Sequence, residues 1–295
     1  MRIVPTTWAA PFLARVIGST DYKGSGTNHQ ISDINPFVLL DEAAIITNRN
    51  VPKFGLHPHS GVMVLTICLS GSVENVYIDR NGKEVKSVHG PGPFLLAVNS
   101  GRGVVHDEHT FSEDPCKLLQ LAWMTGDDES GAEICHVAEP LILNEGDGTD
   151  IMLCAGTFRQ KESGIVCSQN PSITVLIVTL PPGGAFQTDE FCGGNAFVYN
   201  MNYENQRGPL SVNNAQVPAS HVVDMEQHSG QLKITNEGTN VVSVLIGHGE
   251  PINPKWNKLL MFNGFIFAKS EEDAEKKQDE FRQVGITGFG QRRYS

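Results

Sequence analysis

Basic residues are scarce in this sequence. Lys and Arg number 22 against 33 Asp and Glu, leaving a formal net charge of −11. Such a chain lacks the broad positive footprint that non-sequence-specific DNA binding requires, although contact with a DNA-binding protein stays compatible with it. No direct nucleic-acid partner is expected. A Lys/Arg-rich nuclear-import cluster is missing as well, the terminal "QRRYS" being too short to count. Long apolar runs are also absent: the longest uncharged one, "ITVLIVTL" at 173–180, falls far short of a membrane span. The opening "MRIVPTTWAAPFLARVIGS" has too short an apolar core, broken by Pro11, for a secretory signal. The six cysteines (Cys68, Cys116, Cys135, Cys154, Cys167 and Cys192) lie far apart, and none stands in a CxxC. Buried free thiols in a reducing compartment are therefore expected rather than disulfides. The expectation is a soluble cytoplasmic monomer, with nuclear residence left open for a eukaryotic source.

What is present is β-structure. The 295 residues are 40 % hydrophobic and 19 % charged, a globular composition long enough for one large or two ordinary domains. Runs such as "VMVLTICLSG", "GPFLLAVN", "KLLQLAWM", "ITVLIVTLPPGG" and "VVSVLIGHG" recur between Gly, Pro, Asn and Asp, the pattern of short strands with turn punctuation. In "YIDRNGKEV", Asn81-Gly82 supplies the positive φ angles of a hairpin turn. The strands fall into two groups, at 35–125 and 150–250, joined by the acidic "GDDESGAEICHVAEPLILNEGDGTD". Two β units in tandem, each the size of a small barrel, are expected over 1–135 and 136–295. One helix is predicted in "SEEDAEKKQDEFRQVG". Ser270 is its N-cap, with Asp273 in a capping-box position, and Ala274, Gln278 and Phe281 form a narrow apolar stripe strapped over a barrel.

The chemistry concentrates in two short stretches. In "KFGLHPHSG", strand alternation points His57 and His59 the same way, and Pro58 holds the backbone extended. That pair could chelate a metal or simply sit half-exposed at a strand entrance. In "NSGRGVVHDEHTF", His106 and Glu108 share one face while Asp107 and His109 take the other. Together the two pairs would supply three imidazoles and a carboxylate, a set suited to one first-row divalent metal with positions left open. Fe, Mn, Co, Ni, Cu and Zn all remain compatible. By the same alternation Met63 and Leu65 would line the site and Cys68 would turn away from it. His29, His89, His136, His221, His228 and His248 have no paired ligand at strand spacing and are expected at the surface or in loops. Where the second β unit should carry its own pair it reads "GGAFQTDEFCGGNAFVYNMNYE", without HxH or HxE.

The stretches "HPHSG" and "GRGVVHDE" resemble those of the pirin family of the cupin superfamily. "INPFVLLDEA" (34–43), "LLQLAWM" (118–124) and the ending "GHGEPINPKWNKLLMFNGFIFAKSEEDAEKKQDEFRQ" are similar to family segments as well. The likeness spans most of residues 10 to 290. It implies an all-β fold of two tandem cupin (double-stranded β-helix, jelly-roll) barrels with a C-terminal helix. The family's metal ligands then fall on His57, His59, His106 and Glu108, with Fe(II) the first candidate metal and the second barrel degenerate. The sequence departs from the family at Met63, where many pirins have glutamate, and at Asn75, where the family's "VEH" reads "VEN".

Three functions compete on these grounds. The resemblance implies a dioxygenase acting on a flavonol such as quercetin, with Glu108 accepting the substrate's hydroxyl proton. As the alternative to that first reading, it implies an iron-dependent, redox-sensing transcriptional cofactor working through a protein partner. A metal-stabilised β protein without catalysis is the third.

Overall fold

The structure is a computed structural model. It describes residues 1–10, 13–18, 34–45, 55–79, 82–110, 116–126, 129–166, 170, 172–201, 208–225, 227, 229–252, 257–261 and 264–283. His29, His228, Cys167, the expected turn residue Asn81 and the terminal "QRRYS" lie outside them.

Strands dominate, and one helix, Glu271–Gln283, closes the described chain. Packing divides the molecule into two β units. One comprises Met1–Glu42 with Glu139–Pro251, the other Ala43–Ala138 with Ile252–Ser295. The expected single division, 1–135 and 136–295, stands beside three crossings of the chain between units, at Glu42/Ala43, Ala138/Glu139 and Pro251/Ile252. Each unit also takes a segment from a far end of the chain. The physical reason is strand addition. Arg2–Pro5 pairs antiparallel with His221–Met225 in the first unit, and Gly264–Ala268 pairs in parallel with His57–Ser60 in the second.

The first unit, called here the apolar barrel, places its strands in the order Arg2–Pro5, His221–Met225, Asn195–Asn200, Val242–Gly249, Thr174–Leu180, Asp150–Ala155, Leu141–Asn144. A second sheet runs Ala185–Thr188, Leu232–Asn236, Leu210–Val212, Ala215–Val217. Between them lies a core of Ile, Leu, Val and Phe side chains, including Phe158, Phe186 and Phe191. Phe158 packs its ring 6.0 Å from Phe186 and 5.8 Å from Phe191.

The second unit is the histidine barrel. One sheet runs Asn257–Met261, Gly264–Ala268, His57–Ser60, Val104–Thr110, Val73–Asp79, Glu84–His89. Facing it are Glu133–Val137, Phe94–Asn99, Val62–Ser70 and Cys116–Met124, side by side in that order. Alternation gives Val104–Thr110 two faces. Val105 packs on the outer one, in a cluster with Leu56, Ile78, Ile266 and Phe281 of the helix.

The helix forms as the sequence predicts. Ser270 Oγ accepts the Asp273 N–H (3.1 Å) and Asp273 Oδ2 accepts the Lys269 N–H (3.1 Å), a reciprocal cap. Its buried stripe differs by one position: Ala274, Lys277 and Phe281 are buried, and Gln278 is only partly so. Lys277 tolerates full enclosure because its Nζ donates to the Phe267 carbonyl (2.7 Å) and meets Asp273 (3.2 Å). Among the described residues no helix is long and apolar enough to cross a membrane.

Candidate metal centre

The strand carrying His106 is held at its start. Just before it, Gly103 lies where a Cβ would meet the Phe281 ring at 3.0 Å, so glycine lets the helix seat closely. Arg102 beside it donates to Glu280 (2.7 Å) and pairs with Glu129 (3.4 Å). The "GRG" of the sequence is thus a docking point for the terminal helix, and it fixes the start of the histidine strand.

Register then brings the two stretches together. His57–Ser60 pairs antiparallel with Val104–Thr110, setting His106 directly opposite His57 and Val104 opposite His59. The ligating nitrogens of His57, His59 and His106 can all lie within 4.8 Å of one another. Their ring centroids are 4.9, 4.5 and 4.7 Å apart in the three pairings. His59 and His106 are 3 % and 0 % exposed, and His57 keeps partial exposure.

The donor set fits a metal. Burial holds His59 and His106 well below the ordinary imidazole range, and their mutual proximity and that of His57 add to the effect. Burial lowers His57 too, against the upward pull of its bond to the Gly55 carbonyl. Neutral imidazoles carry the lone pair that a metal requires. His57 Nδ1 lies 2.8 Å from the Gly55 carbonyl oxygen, so Nδ1–H donates and Nε2 is left to ligate. His106 is fully enclosed, and neither of its ring nitrogens has a hydrogen-bond partner among the described residues. An ion at this point would give that imidazole the partner it lacks.

Glu108 lies on the same strand face but outside this triad. Thr66 Oγ1 donates to both its oxygens (2.9 and 3.1 Å), and Gln120 Nε2 donates to Oε2. Burial pushes its pKa up to about 7, against those two donors. His109 is on the opposite face, where its Nε2 meets Glu74 at 2.7 Å. Asp107 shares that outer face and accepts the Gly55 N–H (3.1 Å).

The Thr66–Glu108 bond corrects one expectation. Alternation carried straight on from His59 would have pointed Met63 and Leu65 into the site. Gly61, at φ +71°, interrupts the strand between Ser60 and Val62 and resets which residues face inward. Thr66 reaches Glu108, so Val62, Val64, Thr66 and Cys68 share its inward face, and Met63 and Leu65 point away. Cross-strand register adds Val98 and Ala122 opposite Val64, and Gln120 opposite Thr66. Thr66 and Gln120 escaped the sequence reading because they belong to strands whose facing depends on that glycine.

Two other expectations also change. His248 is buried at 7 % exposure in the apolar barrel, its ring stacked on Phe191 with centroids 5.1 Å apart, rather than lying at the surface. His89 and His136, expected unpaired, bring their rings to 4.2 Å. His221 is partly buried, with Nδ1 3.0 Å from the Ala219 carbonyl. The described cysteines Cys68, Cys116, Cys135, Cys154 and Cys192 form no disulfide among the described residues.

An all-β, two-barrel architecture with inward histidines at the start of one barrel is that of the cupin fold. Residues 18–124 match the pirin family model. No curated protein matches it significantly. Among solved structures, it is similar to a quercetin 2,3-dioxygenase from Acinetobacter baumannii, with TM-score 0.76 at 17 % identity, covering 100 % of this chain and 92 % of that one. GK1651 from Geobacillus kaustophilus gives 0.64 at 22 % identity over 85 % of this chain and 96 % of its own. The bacterial pirin YhhW from Escherichia coli, solved with nickel(II), gives 0.60 at 13 % over 85 % and 99 %. At these identities the likeness establishes the fold.

Proposed function

We propose that the chain is a metal-dependent dioxygenase that opens a flavonol such as quercetin. The observation carrying this is the clustered triad His57, His59 and His106, facing a barrel interior that also holds Glu108. The solved relative at TM-score 0.76 is a quercetin 2,3-dioxygenase, which supports the substrate class. His57, His59 and His106 hold one divalent first-row ion, Fe(II) foremost, and Glu108 is the candidate fourth ligand. An ion held there supplies Lewis acidity and one-electron chemistry to a chelating substrate.

The chain's own residues do the rest. Thr66 and Gln120 fix the Glu108 carboxylate from the facing sheet, so that it meets the substrate's hydroxyl in a set position and takes its proton. Val64, Val98 and Ala122, all buried, offer an apolar wall for flat rings and exclude water.

The test is anaerobic reconstitution with Fe(II), Mn, Co, Ni or Cu, then quercetin in air. Loss of the flavonol absorption band with at least one metal is expected. Persistence of the band with every metal overturns the proposal.

A further inference from the structure

Asn75 is wholly enclosed, at 0 % exposure, yet neither its Oδ1 nor its Nδ2 has a hydrogen-bond partner among the described residues. Burying a carboxamide strips it of water, and here nothing is returned for that loss. Few native groups are left this way, and those that are call for a reason.

Register shows where the amide points. Asn75 stands directly opposite Glu108 on one neighbouring strand and opposite Ser87 on the other. Directly opposed residues of an antiparallel pair share a face, so Asn75 lies on the inward wall with Glu108. Its neighbour Glu74 takes the outer face, where it meets His109 (2.7 Å) and Lys86 (2.6 Å). Neither inward neighbour satisfies the amide. Glu108 is engaged by Thr66 and Gln120, and the Ser87 hydroxyl lies 2.8 Å from His89 Nε2. The strand Glu84–His89 stands at the sheet edge, and its inward row Val85, Ser87 and His89 is only half-buried.

We infer that Asn75 is a specificity-determining residue of this barrel, reading a hydroxyl group of the bound organic molecule. Oδ1 accepts that hydroxyl's hydrogen, and Nδ2 donates to its oxygen or to an adjoining carbonyl. A neutral group with one acceptor and donors of its own matches a neutral partner that does both, as a phenolic or enolic hydroxyl does. An apolar ligand edge would leave the amide as unbonded as before. The naming of a flavonol as ligand rests on the function proposed above, whereas the uncommitted amide does not.

The experiment is anaerobic titration of quercetin, and of analogues each lacking one hydroxyl, into the metal-loaded wild type, Asn75→Leu and Asn75→Ala. Metal content and the melting point of ligand-free protein are measured alongside. Asn75→Leu should weaken quercetin at least about tenfold, which is ~1.4 kcal/mol. One analogue should bind wild type and variant alike, identifying the hydroxyl that is read. Metal content should not change, and the melting point should hold or rise in at least one variant, because the amide it loses was unbonded. Equal quercetin affinity in wild type and variants, or the same ratio for every analogue, overturns the inference. If the wild type binds no flavonol, the flavonol reading fails alone. The melting point then decides for Asn75: held or raised in either variant supports an amide reserved for a ligand, and lowered in both overturns it.

Discussion

The two barrels of this chain fill their interiors with opposite materials. The apolar barrel closes on Ile, Leu, Val and three packed phenylalanines. On its inward wall the histidine barrel carries the imidazoles of His57, His59 and His106, the Glu108 carboxylate, the Thr66 hydroxyl and the amides of Asn75 and Gln120. Hydrophobic burial supplies most of a domain's stability, and each enclosed polar group subtracts unless it is bonded. One barrel is therefore built for stability, and the other gives some up to keep lone pairs and donors available for a ligand.

That contrast can be broken first at the phenylalanines. Phe186→Ala in the apolar barrel should cost about 3–5 kcal/mol, the range for emptying a packed aromatic site, read by urea unfolding. A cost under about 1 kcal/mol would mean that the interior is not close-packed and the contrast is false. Metal loading probes the other side. An ion that binds only the folded state stabilises it by ~2.7 kcal/mol at a hundredfold excess over Kd. Hydrogen exchange should accordingly slow in Val104–Thr110 on loading and stay unchanged in Val242–Gly249, a strand of the apolar barrel. Equal protection of both strands would erase the distinction.

Much of this was legible residue by residue. HxH and HxE each sit within one uninterrupted strand, so alternation alone placed His57 with His59 and His106 with Glu108, and turned His109 outward to Glu74. The helix cap at Ser270 was legible for the same reason, its donors and acceptors lying within one turn. What failed lay beyond a break or far along the chain. Gly61 restarts the strand, so a count from His59 gave Met63 the place that Thr66's row holds. Lys277 reads as a surface lysine until the Phe267 carbonyl, ten residues upstream, is seen to receive its ammonium. The exchange of end segments between the barrels left no local signal, since strand addition is decided by register with residues more than 200 positions away, as between Arg2 and Asp224. Asn75 was visible only as an odd letter in a familiar motif. Burial and the missing partners give it meaning.

The smallest effect expected belongs to His109, and it sets up the most direct test. Wild type, His106→Ala and His109→Ala are reconstituted anaerobically with Fe(II), desalted, and analysed for metal per folded chain. The triad predicts about one ion per chain in the wild type, the same in His109→Ala, and loss of most of it in His106→Ala. Equal metal in all three proteins, or equal loss in both variants, would contradict a site built on His57, His59 and His106.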